Sequence, residues 1–459
     1  MAGRSFTITP RLMRASLLLL AALAACAPRE KDRIALVGGN IIDVNGGSVL
    51  RDGVIVIYQG KVETVSPREG FKIPKTAEEV DVSGKWIIPG LIDSHVHSSR
   101  WSLPRFLAFG ITSVRDTHGN MDSILALREE ASLGGNAWPR VYSAGAMIDG
   151  APATYGDATE VKTAAQARRA VDARAVAGVD FIKTYTRITP ELFKALLDEA
   201  NALNLKVTAH LGLTDAETAS RLGVASIEHM TGIPEAANPR GAEKLYVEHR
   251  ASFFRGWNAF EKSWATLDST SLARVAATLV DRKVILIPTL VLHDTFSRLD
   301  DPAVLLDPDL KSVPDSEIKR WNLPDLKARA GWTDADYVAF RAARPMQDLF
   351  VREFRVAGGV IAAGTDATNQ MLPPGPTLHT EMALLVNAGL TPSDALRAAT
   401  INGARLLGAD SIGTLAVGKV ADLVVLDADP LSDIRNTRQV SRVMVRGLLY
   451  DADSIRKTW

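Results

Sequence analysis

Two histidines lie one residue apart at the end of an apolar segment, PGLIDSHVHSS, residues 89–99. In a β-strand, successive side chains point to opposite faces, so His95 and His97 would point one way and Val96 the other. Two imidazoles on one face suit a divalent metal ion, although this spacing also arises by chance. Whether it marks a metal site depends on the further ligands that the chain supplies.

Other residues that can bind a metal ion also follow short apolar segments. They are Lys183 in DFIKTY, His210 in TAHL, His229 in IEHM and Asp366 in AGTDA. Taken singly, each of these histidines is more simply read as a buried residue with satisfied hydrogen bonds. A shared position at the ends of strands would instead make the set a metal site, so the elements that carry these residues decide the question.

From Trp86 onward, β-like segments alternate with helical ones. The eight candidate strands are WIIPGLIDSHVH, GITSVRDT, RVYSAGAMI, GVDFIKTY, KVTAHL, ASIEHM, VILIPTLVLH and GVIAAGTDA. Most are separated by amphipathic stretches such as TPELFKALLDEANALN, in which apolar residues recur at helical spacing. This alternation predicts a (β/α)8 TIM barrel over residues 86–410. Two longer insertions, at about 231–283 and 294–350, lie on either side of the seventh strand.

The two ends of the chain have a different pattern. Residues 26–85 and 411–459 contain short alternating segments broken by Gly and Asn, among them GVIVIYQGKVETV and GTLAVGKVADLVVLDADP. Such alternation is typical of β-strands joined by turns. We therefore expect both ends to form one small β-sandwich domain.

A barrel would give the candidate ligands a common place, because active sites of this fold lie at the C-terminal ends of the strands. His95, His97, Lys183, His210, His229 and Asp366 all fall at that rim. Imidazole and carboxylate ligands suit Zn²⁺, which lowers the pKa of a bound water and polarises a carbonyl. Asp366 would take the proton of this activated water and pass it to the leaving group. The lysine needs another explanation, since a protonated amine is repelled by a metal ion.

Together these segments resemble the amidohydrolase superfamily. The resemblance covers nearly the whole chain after its N-terminus and includes PGLIDSHVH, GVDFIKTY, AHLG, SIEHM, AAGTDA, LTPSDALRAATINGARLLG and IGTLAVGKVADLVVLDADPL. It implies a (β/α)8 barrel beside a small β-sandwich built from both chain ends. FIKTYTR and SIEHM are similar to the prolidase-like and imidazolonepropionase-like branch, many of whose members hydrolyse dipeptides, N-acyl amino acids or related amides.

The resemblance also implies a role for the lysine. In binuclear members, it is carboxylated by CO₂, and the carbamate bridges two metal ions. On that pattern, His95, His97 and Asp366 would bind one ion, His210 and His229 the other, and Lys183 would bridge them. Zn²⁺ is the default ion, although Mn²⁺, Fe²⁺ or Co²⁺ would fit similar ligands. The alternative for Lys183 is a simple ion pair, with one metal ion bound elsewhere.

Five further residues are candidates for contact with substrate: His118, Tyr155, Tyr185, Arg187 and His293. His118 follows the second strand, Tyr155 lies in the loop after the third, and His293 ends the seventh. Tyr185 and Arg187 follow the lysine and could bind a substrate carboxylate, since arginine suits planar anions. Each of the five could instead have a structural role.

The remaining histidines, His249 and His379, have no position at the rim, and we expect them to be structural. In the first insertion, an apolar stripe recurs at helical spacing and consists of Phe253, Trp257, Phe260 and Trp264. It indicates a helix packed on the barrel, with a lid, a dimer contact or a membrane-facing patch as alternatives. An insertion on this face of the barrel would shape the substrate pocket.

The N-terminus has the pattern of a bacterial lipoprotein signal. Three arginines and no acidic residue precede a short apolar run, and LAAC, residues 23–26, resembles a lipobox. We expect residues 1–25 to be removed and Cys26, the only cysteine, to be lipidated. Alanine after the cysteine indicates the outer membrane if the host is Gram-negative, so the chain would be held in the cell envelope on the periplasmic side. A plain secretory signal or an uncleaved anchor is the alternative.

The composition limits the partners. The chain of 459 residues has a formal net charge of zero and no basic cluster with interleaved aromatics, which argues against nucleic-acid binding. The best expectation is a metal-dependent amidohydrolase acting on a small peptide-like amide, with a homo-oligomer left open. Rivals are a mononuclear cyclic-amide or amidine hydrolase, a lactonase or other esterase, and a lipoprotein that binds ligand without turnover.

Overall fold

Residues 32–459 are described by the computed structural model, and their strands fall into three hydrogen-bonded sheets. The predicted signal, residues 1–25, and the predicted lipidation site Cys26 lie outside the described residues. Among residues 32–459, the helices are too short or too polar to cross a membrane.

Strands from both chain ends form one mixed, eight-stranded sheet. Its order is β18-β17-β16-β5-β1-β2-β3, and β4 pairs with β1. The bounds are β1 Arg33–Ile42, β2 Val49–Tyr58, β3 Lys61–Pro67, β4 Ala77–Asp81, β5 Trp86–Pro89, β16 Leu423–Leu426, β17 Val440–Val445 and β18 Leu448–Asp451. The N-terminal and C-terminal segments meet where β5 pairs antiparallel with β16. A buried apolar cluster that includes Leu36, Ile55 and Leu423 stabilises this sheet.

The remaining strands pair in parallel in two sheets, one of three strands and one of seven, and the barrel is built from these sheets. Their bounds are β6 Leu91–Val96, β7 Ile111–Asp116, β8 Arg140–Ser143, β9 Ile148–Gly150, β10 Thr159–Val161, β11 Ile182–Thr184, β12 Val207–Ala209, β13 Ser226–Glu228, β14 Ile285–Ile287 and β15 Val360–Ile361. The barrel closes where Val96 bridges Ala367 and the Ser94 amide donates to the Ala363 carbonyl at 2.9 Å. This architecture confirms the predicted barrel beside a domain made by the chain ends.

Helices surround the barrel and fill both insertions. Their bounds are α1 Leu103–Ala108, α2 Met121–Ser132, α3 Ala164–Ala177, α4 Pro190–Ala202, α5 Ala216–Leu222, α6 Ile233–Ala237, α7 Pro239–Ala251, α8 Phe253–Ser263, α9 Ser269–Asp281, α10 Leu290–Phe296, α11 Asp315–Trp321, α12 Leu323–Ala330, α13 Asp334–Val356, α14 Pro376–Asn387, α15 Pro392–Ala398, α16 Ile401–Leu407 and α17 Ala452–Arg456. Short 3₁₀ turns cover Trp264–Thr266, Pro302–Leu306, Pro308–Ser312 and Ile434–Arg438.

Helix α4 illustrates why these segments are helical. Thr189 and Pro190 start it, and its apolar residues recur every three or four positions, so Phe193, Leu196 and Leu197 are buried against the barrel. The predicted stripe of the first insertion is also helical. It lies on α8 and the following 3₁₀ turn, with Trp257, Phe260 and Trp264 buried.

The first predicted strand is wrong as a single element, because WIIPGLIDSHVH is two strands in different sheets. Residues 86–89 form β5 of the end sheet, and residues 91–96 form β6 of the barrel. Gly90 separates them, and a Cβ there would lie 2.1 Å from the Thr112 hydroxyl. The barrel therefore begins a few residues later than the predicted boundary at 86.

The seventh and eighth strands also differ from their predicted forms. Strand β14 ends at Ile287, so His293 lies on helix α10 rather than at a strand end. Strand β15 has two residues, and Asp366 follows it on an irregular segment with a left-handed φ of 63°. In both segments the strand ends before the candidate residue, and a helix or an irregular segment carries the chain on.

We expect Leu423→Ala to lower the free energy of unfolding by about 2–5 kcal/mol, because it leaves a cavity where the two chain ends pack together. Leu423 is fully buried in the end sheet. Leu448→Ala is the matched control, since Leu448 lies in the same sheet but is half exposed. Chemical denaturation of both variants checks the prediction, and equal small losses would contradict it.

Candidate metal centre and cavity

A cavity of about 540 Å³ opens at the C-terminal ends of the barrel strands. Its lining includes all six predicted metal ligands: His95, His97, Lys183, His210, His229 and Asp366. They come from five strands or the residues just after them, since His95 and His97 share β6, and all lie at the rim where this fold places active sites. The structure therefore brings the whole predicted set together at one place.

Glu228 holds the outer side of the His95 ring. Its Oε2 lies 2.7 Å from His95 Nδ1, and its Oε1 lies 2.9 Å from the guanidinium of Arg115. Burial alone would raise the pKa of Glu228, but the positive charge of Arg115 and the contact with His95 hold it well below its usual range. A carboxylate can only accept, so His95 keeps a proton on Nδ1 and turns its Nε2 to the cavity.

The rings of His97 and His229 are oriented in the same way. His97 Nδ1 lies 3.0 Å from the carbonyl oxygen of His118, so this nitrogen donates. His229 Nδ1 lies 2.7 Å from the hydroxyl of Thr289, and that hydroxyl donates its own proton to the Pro288 carbonyl at 2.8 Å. The hydroxyl must therefore accept from His229, so in both rings Nδ1 is the donor on the outer side and Nε2 faces the cavity.

These Nε2 atoms converge on a carboxylate. Asp366 Oδ1 lies 3.1 Å from His95 Nε2 and 3.0 Å from His97 Nε2. Ligand atoms of His95, His229 and Asp366 all lie within 4.8 Å of one another. Burial opposes ionisation of Asp366, but the charge and hydrogen bond of His95 hold its pKa well below its usual range. Imidazole nitrogens that converge on an ionised carboxylate fit a bound cation, which would take the place of the protons there.

The geometry groups the ligands differently from the expected pairing. The set within 4.8 Å combines His95 and Asp366 with His229, which the resemblance assigns to the second ion. His229 also lies beside His210, with ring centroids 4.9 Å apart. The two expected sites thus adjoin at His229.

Lys183 is buried beside this cluster on β11. Its Nζ has no hydrogen-bond partner among residues 32–459. Burial lowers the pKa of Lys183 to about 8. A buried ammonium without a hydrogen-bond partner costs folding free energy. The predicted metal ligands around Lys183 fit an anionic form of its side chain that would bind metal.

A second side of the cavity carries the candidates for substrate contact His118, Tyr155, Tyr185 and Arg187. Asp149 at the end of β9 orders this side, because its carboxylate accepts from the main-chain amides of Arg187 and Thr154, each at 2.8 Å. The Arg187 guanidinium donates to the carbonyls of Pro152 and Arg250. Among the described residues, no carboxylate pairs with it, so its charge is available to an anion.

His118 presents a proton at the cavity. The Met147 amide donates to His118 Nδ1 at 3.1 Å, so the ring proton is on Nε2, 3.2 Å from Asp157 Oδ1. Burial and the nearby His97 lower the pKa of His118, so the neutral ring is favoured. A neutral imidazole N–H at this position can donate to a substrate oxygen.

The third side of the cavity is aromatic and comes from the first insertion and from α10. Its residues are Phe253, Phe254, Trp257 and Phe296. The Phe253 ring lies nearly parallel to Tyr185, with centroids 6.1 Å apart and an interplanar angle of 20°. The predicted stripe therefore serves as cavity wall through Phe253 and Trp257 and as buried core through Phe260 and Trp264.

His293 does not line the cavity, and its prediction as a substrate contact is wrong. Its ring is buried, with Nδ1 2.6 Å from Glu261 and Nε2 3.2 Å from the His229 carbonyl oxygen. Its position on a helix turns the ring behind the wall rather than towards the opening. The two histidines expected to be structural lie elsewhere: His379 bonds Thr437 and the Phe109 carbonyl, and His249 lies 3.4 Å from Glu235.

The sequence interpretation missed the buried polar residues that lie behind the cavity lining, namely Glu228, Arg115, Thr289 and Glu261. Two of them carried a usable signal. Arg115 and Glu228 are charged residues inside predicted barrel strands, and a buried charge in such a place requires a partner. Thr289 and Glu261 carried no such signal, because nothing in the sequence around them distinguishes them from other polar residues.

Three comparisons relate the chain to known proteins. The model of the amidohydrolase family matches residues 86–449. The chain is 26% identical over 416 residues to the imidazolonepropionase of Pseudomonas putida (strain GB-1), which covers 84% of this chain and 90% of that relative.

Two solved structures show the same fold. One is a protein of Bifidobacterium longum described as a prolidase, at 24% identity and a TM-score of 0.70, covering 94% of this chain and 99% of that one. The other is a Xaa-Pro dipeptidase with bound methionine, at 21% identity and a TM-score of 0.66, covering 91% and 100%. The predicted fold class is confirmed.

We expect Glu228→Gln to weaken Zn²⁺ binding by roughly 10- to 100-fold, because the amide cannot hold the His95 proton as a carboxylate does. Glu235→Gln is the control, since Glu235 is equally buried but lies beside His249 rather than a predicted ligand. Competition with a chelator of known affinity measures the effect. Equal Zn²⁺ affinities in both variants would contradict the assigned role of Glu228.

Proposed function

The chain belongs to the amidohydrolase family and is a hydrolase of carbon–nitrogen bonds, and we propose that its substrate is a peptide-like amide, either a dipeptide or an N-acyl amino acid. The observation that carries the proposal is the meeting of His95, His229 and Asp366 at the floor of a cavity whose other sides can hold an anion and an apolar group.

We propose two divalent metal ions, each Zn²⁺, held by the six residues at the cavity floor. When bound, they would supply Lewis acidity, which lowers the pKa of water and polarises a carbonyl. Lys183 would bridge them as a carbamate: its neutral amine adds to CO₂, a C–N bond forms and a proton is released. Its burial supports this step, since a lowered pKa leaves more of the amine unprotonated.

Asp366 would carry the proton in the reaction. Its carboxylate is ionised and lies at the floor of the cavity, so it can accept a proton from the attacking water. The same group would then donate this proton to the leaving nitrogen, which must be protonated before the C–N bond breaks. His118 would donate its Nε2–H to the carbonyl oxygen as negative charge develops there.

The other two sides of the cavity would bind the rest of the substrate. Arg187, which has no carboxylate partner among the described residues, would pair with the substrate carboxylate, and Tyr185 lies beside it. Phe253 and Trp257 would pack against an apolar side chain or acyl group. A cavity of about 540 Å³ has room for more than a dipeptide of the smallest residues.

A mononuclear hydrolase of a cyclic amide is the second candidate. The relatives named imidazolonepropionase favour it, and His95, His229 and Asp366 would suffice for one ion. Metal content per chain separates the two. About two ions, falling to one or none in Lys183→Ala, supports the binuclear proposal. One ion in both proteins overturns it and directs the substrate search to cyclic amides and amidines.

We expect Asp366→Asn to lower kcat for the best dipeptide or N-acyl amino acid by roughly 10²- to 10⁴-fold, because the amide cannot carry the proton. Asp294→Asn is the control, since Asp294 pairs with Arg298 and does not line the cavity. Steady-state kinetics with metal content measured on the same samples checks the prediction. Full activity of Asp366→Asn at equal metal content would show that another group moves the proton.

Carbamate formation also predicts how reconstitution depends on pH. With a pKa of about 8, Lys183 is mostly protonated at pH 6.5 and mostly neutral at pH 8.5. The neutral fraction rises about 25-fold between these values. Metal-free protein given Zn²⁺ should therefore regain activity faster at pH 8.5, and added bicarbonate should accelerate recovery. Recovery that bicarbonate does not change at either pH would count against the carbamate.

We further propose that the mature chain is lipid-anchored through Cys26 at the periplasmic side of the cell envelope, on the outer membrane of a Gram-negative host. The support is the LAAC segment after a basic and apolar leader. We expect the full-length chain to fractionate with membranes and Cys26→Ser to be lost from that fraction. Mass spectrometry of the N-terminal peptide checks the lipid directly, and an unmodified cysteine would disprove the anchor.

A further inference from the structure

We propose that His293 and Glu261 form a positioning pair that holds the main chain of His229 and thereby sets the direction of its imidazole. Neither residue lines the cavity, so neither is assigned a part in the proposed chemistry. The inference rests on the proposed function in one respect, namely that His229 binds a metal ion.

The pair is a continuous run of hydrogen bonds from helix α8 to the His229 residue. His293 Nδ1 lies 2.6 Å from Glu261 Oε1, and His293 Nε2 lies 3.2 Å from the His229 carbonyl oxygen. Both partners can only accept, so the ring donates from both nitrogens. The Gln347 amide donates to the other oxygen of Glu261 at 2.8 Å. All of these side chains are at least 97% buried.

His229 needs such support because its backbone is sterically unfavourable. Its φ is 56° and that of Met230 is 55°, in the left-handed region that few residues other than glycine adopt. Its amide donates to the Ile287 carbonyl at 2.8 Å, and Thr289 accepts from its Nδ1. His293 binds the remaining main-chain polar group of this residue, the His229 carbonyl. Without that hydrogen bond the peptide can rotate, and the imidazole rotates with it.

The same helix supplies both the cavity wall and the carboxylate of this pair. Trp257 lies one helical turn before Glu261 on α8, and its ring stacks on His293 with centroids 5.4 Å apart and an interplanar angle of 18°. Trp257 lines the cavity beside His210, at 6.1 Å between ring centroids. The insertion therefore fixes a metal ligand as well as covering the cavity.

The first insertion also offers a matched control pair. His249 and Glu235 are a second buried histidine and carboxylate, 3.4 Å apart, on α7 and α6. Among the described residues, no hydrogen bond joins this pair to a predicted metal ligand. A purely structural role for His293 predicts that losing either histidine has the same consequences.

The test compares His293→Leu, His293→Gln and His249→Leu in the full chain. We expect His293→Leu to lose at least about tenfold in Zn²⁺ affinity relative to His249→Leu, with a similar fall in the Tm of both metal-free proteins. His293→Gln restores a donor for the His229 carbonyl and should recover most of the affinity. Equal Zn²⁺ affinity in the two leucine variants, or no recovery in His293→Gln, would overturn the proposal.

A second pair of variants and the wild-type protein complete the test. If His293→Leu does not fold, Glu261→Gln is compared with Glu235→Gln by the same Zn²⁺ titration, with the same tenfold difference expected. The titration needs no substrate, so it is separate from the proposed function. Wild-type protein that binds Zn²⁺ but cleaves no amide would refute the function and leave the positioning pair standing. Wild-type protein that binds no divalent ion would refute both.

Discussion

Three imidazole Nε2 atoms face one ionised carboxylate at the floor of the cavity, and much of the barrel rim is arranged around this cluster. The Nδ1 proton of each ring is held on the far side by Glu228, Thr289 or the His118 carbonyl. The orientation of the rings is thus fixed from outside the cavity, before any cation enters it.

That external support explains why ionic groups lie in the middle of the barrel. Glu228 is fully buried, which would be prohibitive for a lone carboxylate. Arg115 from β7 compensates its negative charge, and the Thr208 hydroxyl from β12 donates a hydrogen bond to one of its oxygens. The resulting network links β7 of one sheet with β12 and β13 of the other, so the support of His95 depends on strands from both sheets.

The sequence was enough to predict the ligands because their position depends on strand ends, which periodicity and residue type indicate well. It was not enough to predict their supports, because Thr289 and Glu261 become neighbours of the ligands only through tertiary folding. The split of WIIPGLIDSHVH at Gly90 was missed because both halves are apolar and extended. His293 was placed at a strand end because a β-rich apolar run does not reveal where the chain turns into a short helix. A left-handed backbone conformation, such as that of His229, cannot be predicted from the pattern of apolar positions.

The aromatic wall and the supports of the metal ligands lie largely on different elements, which has a consequence for redesign of the substrate range. Most of the aromatic wall belongs to an insertion between two strands, whereas the supports Glu228 and Arg115 belong to the strands themselves. Wall residues that hold no metal ligand, such as Phe253 and Phe254, can therefore be exchanged to alter substrate range with the ion-binding floor intact. Helix α8 sets the limit, since its inner face carries Glu261, and a wholesale graft of this insertion would have to bring an equivalent carboxylate with it.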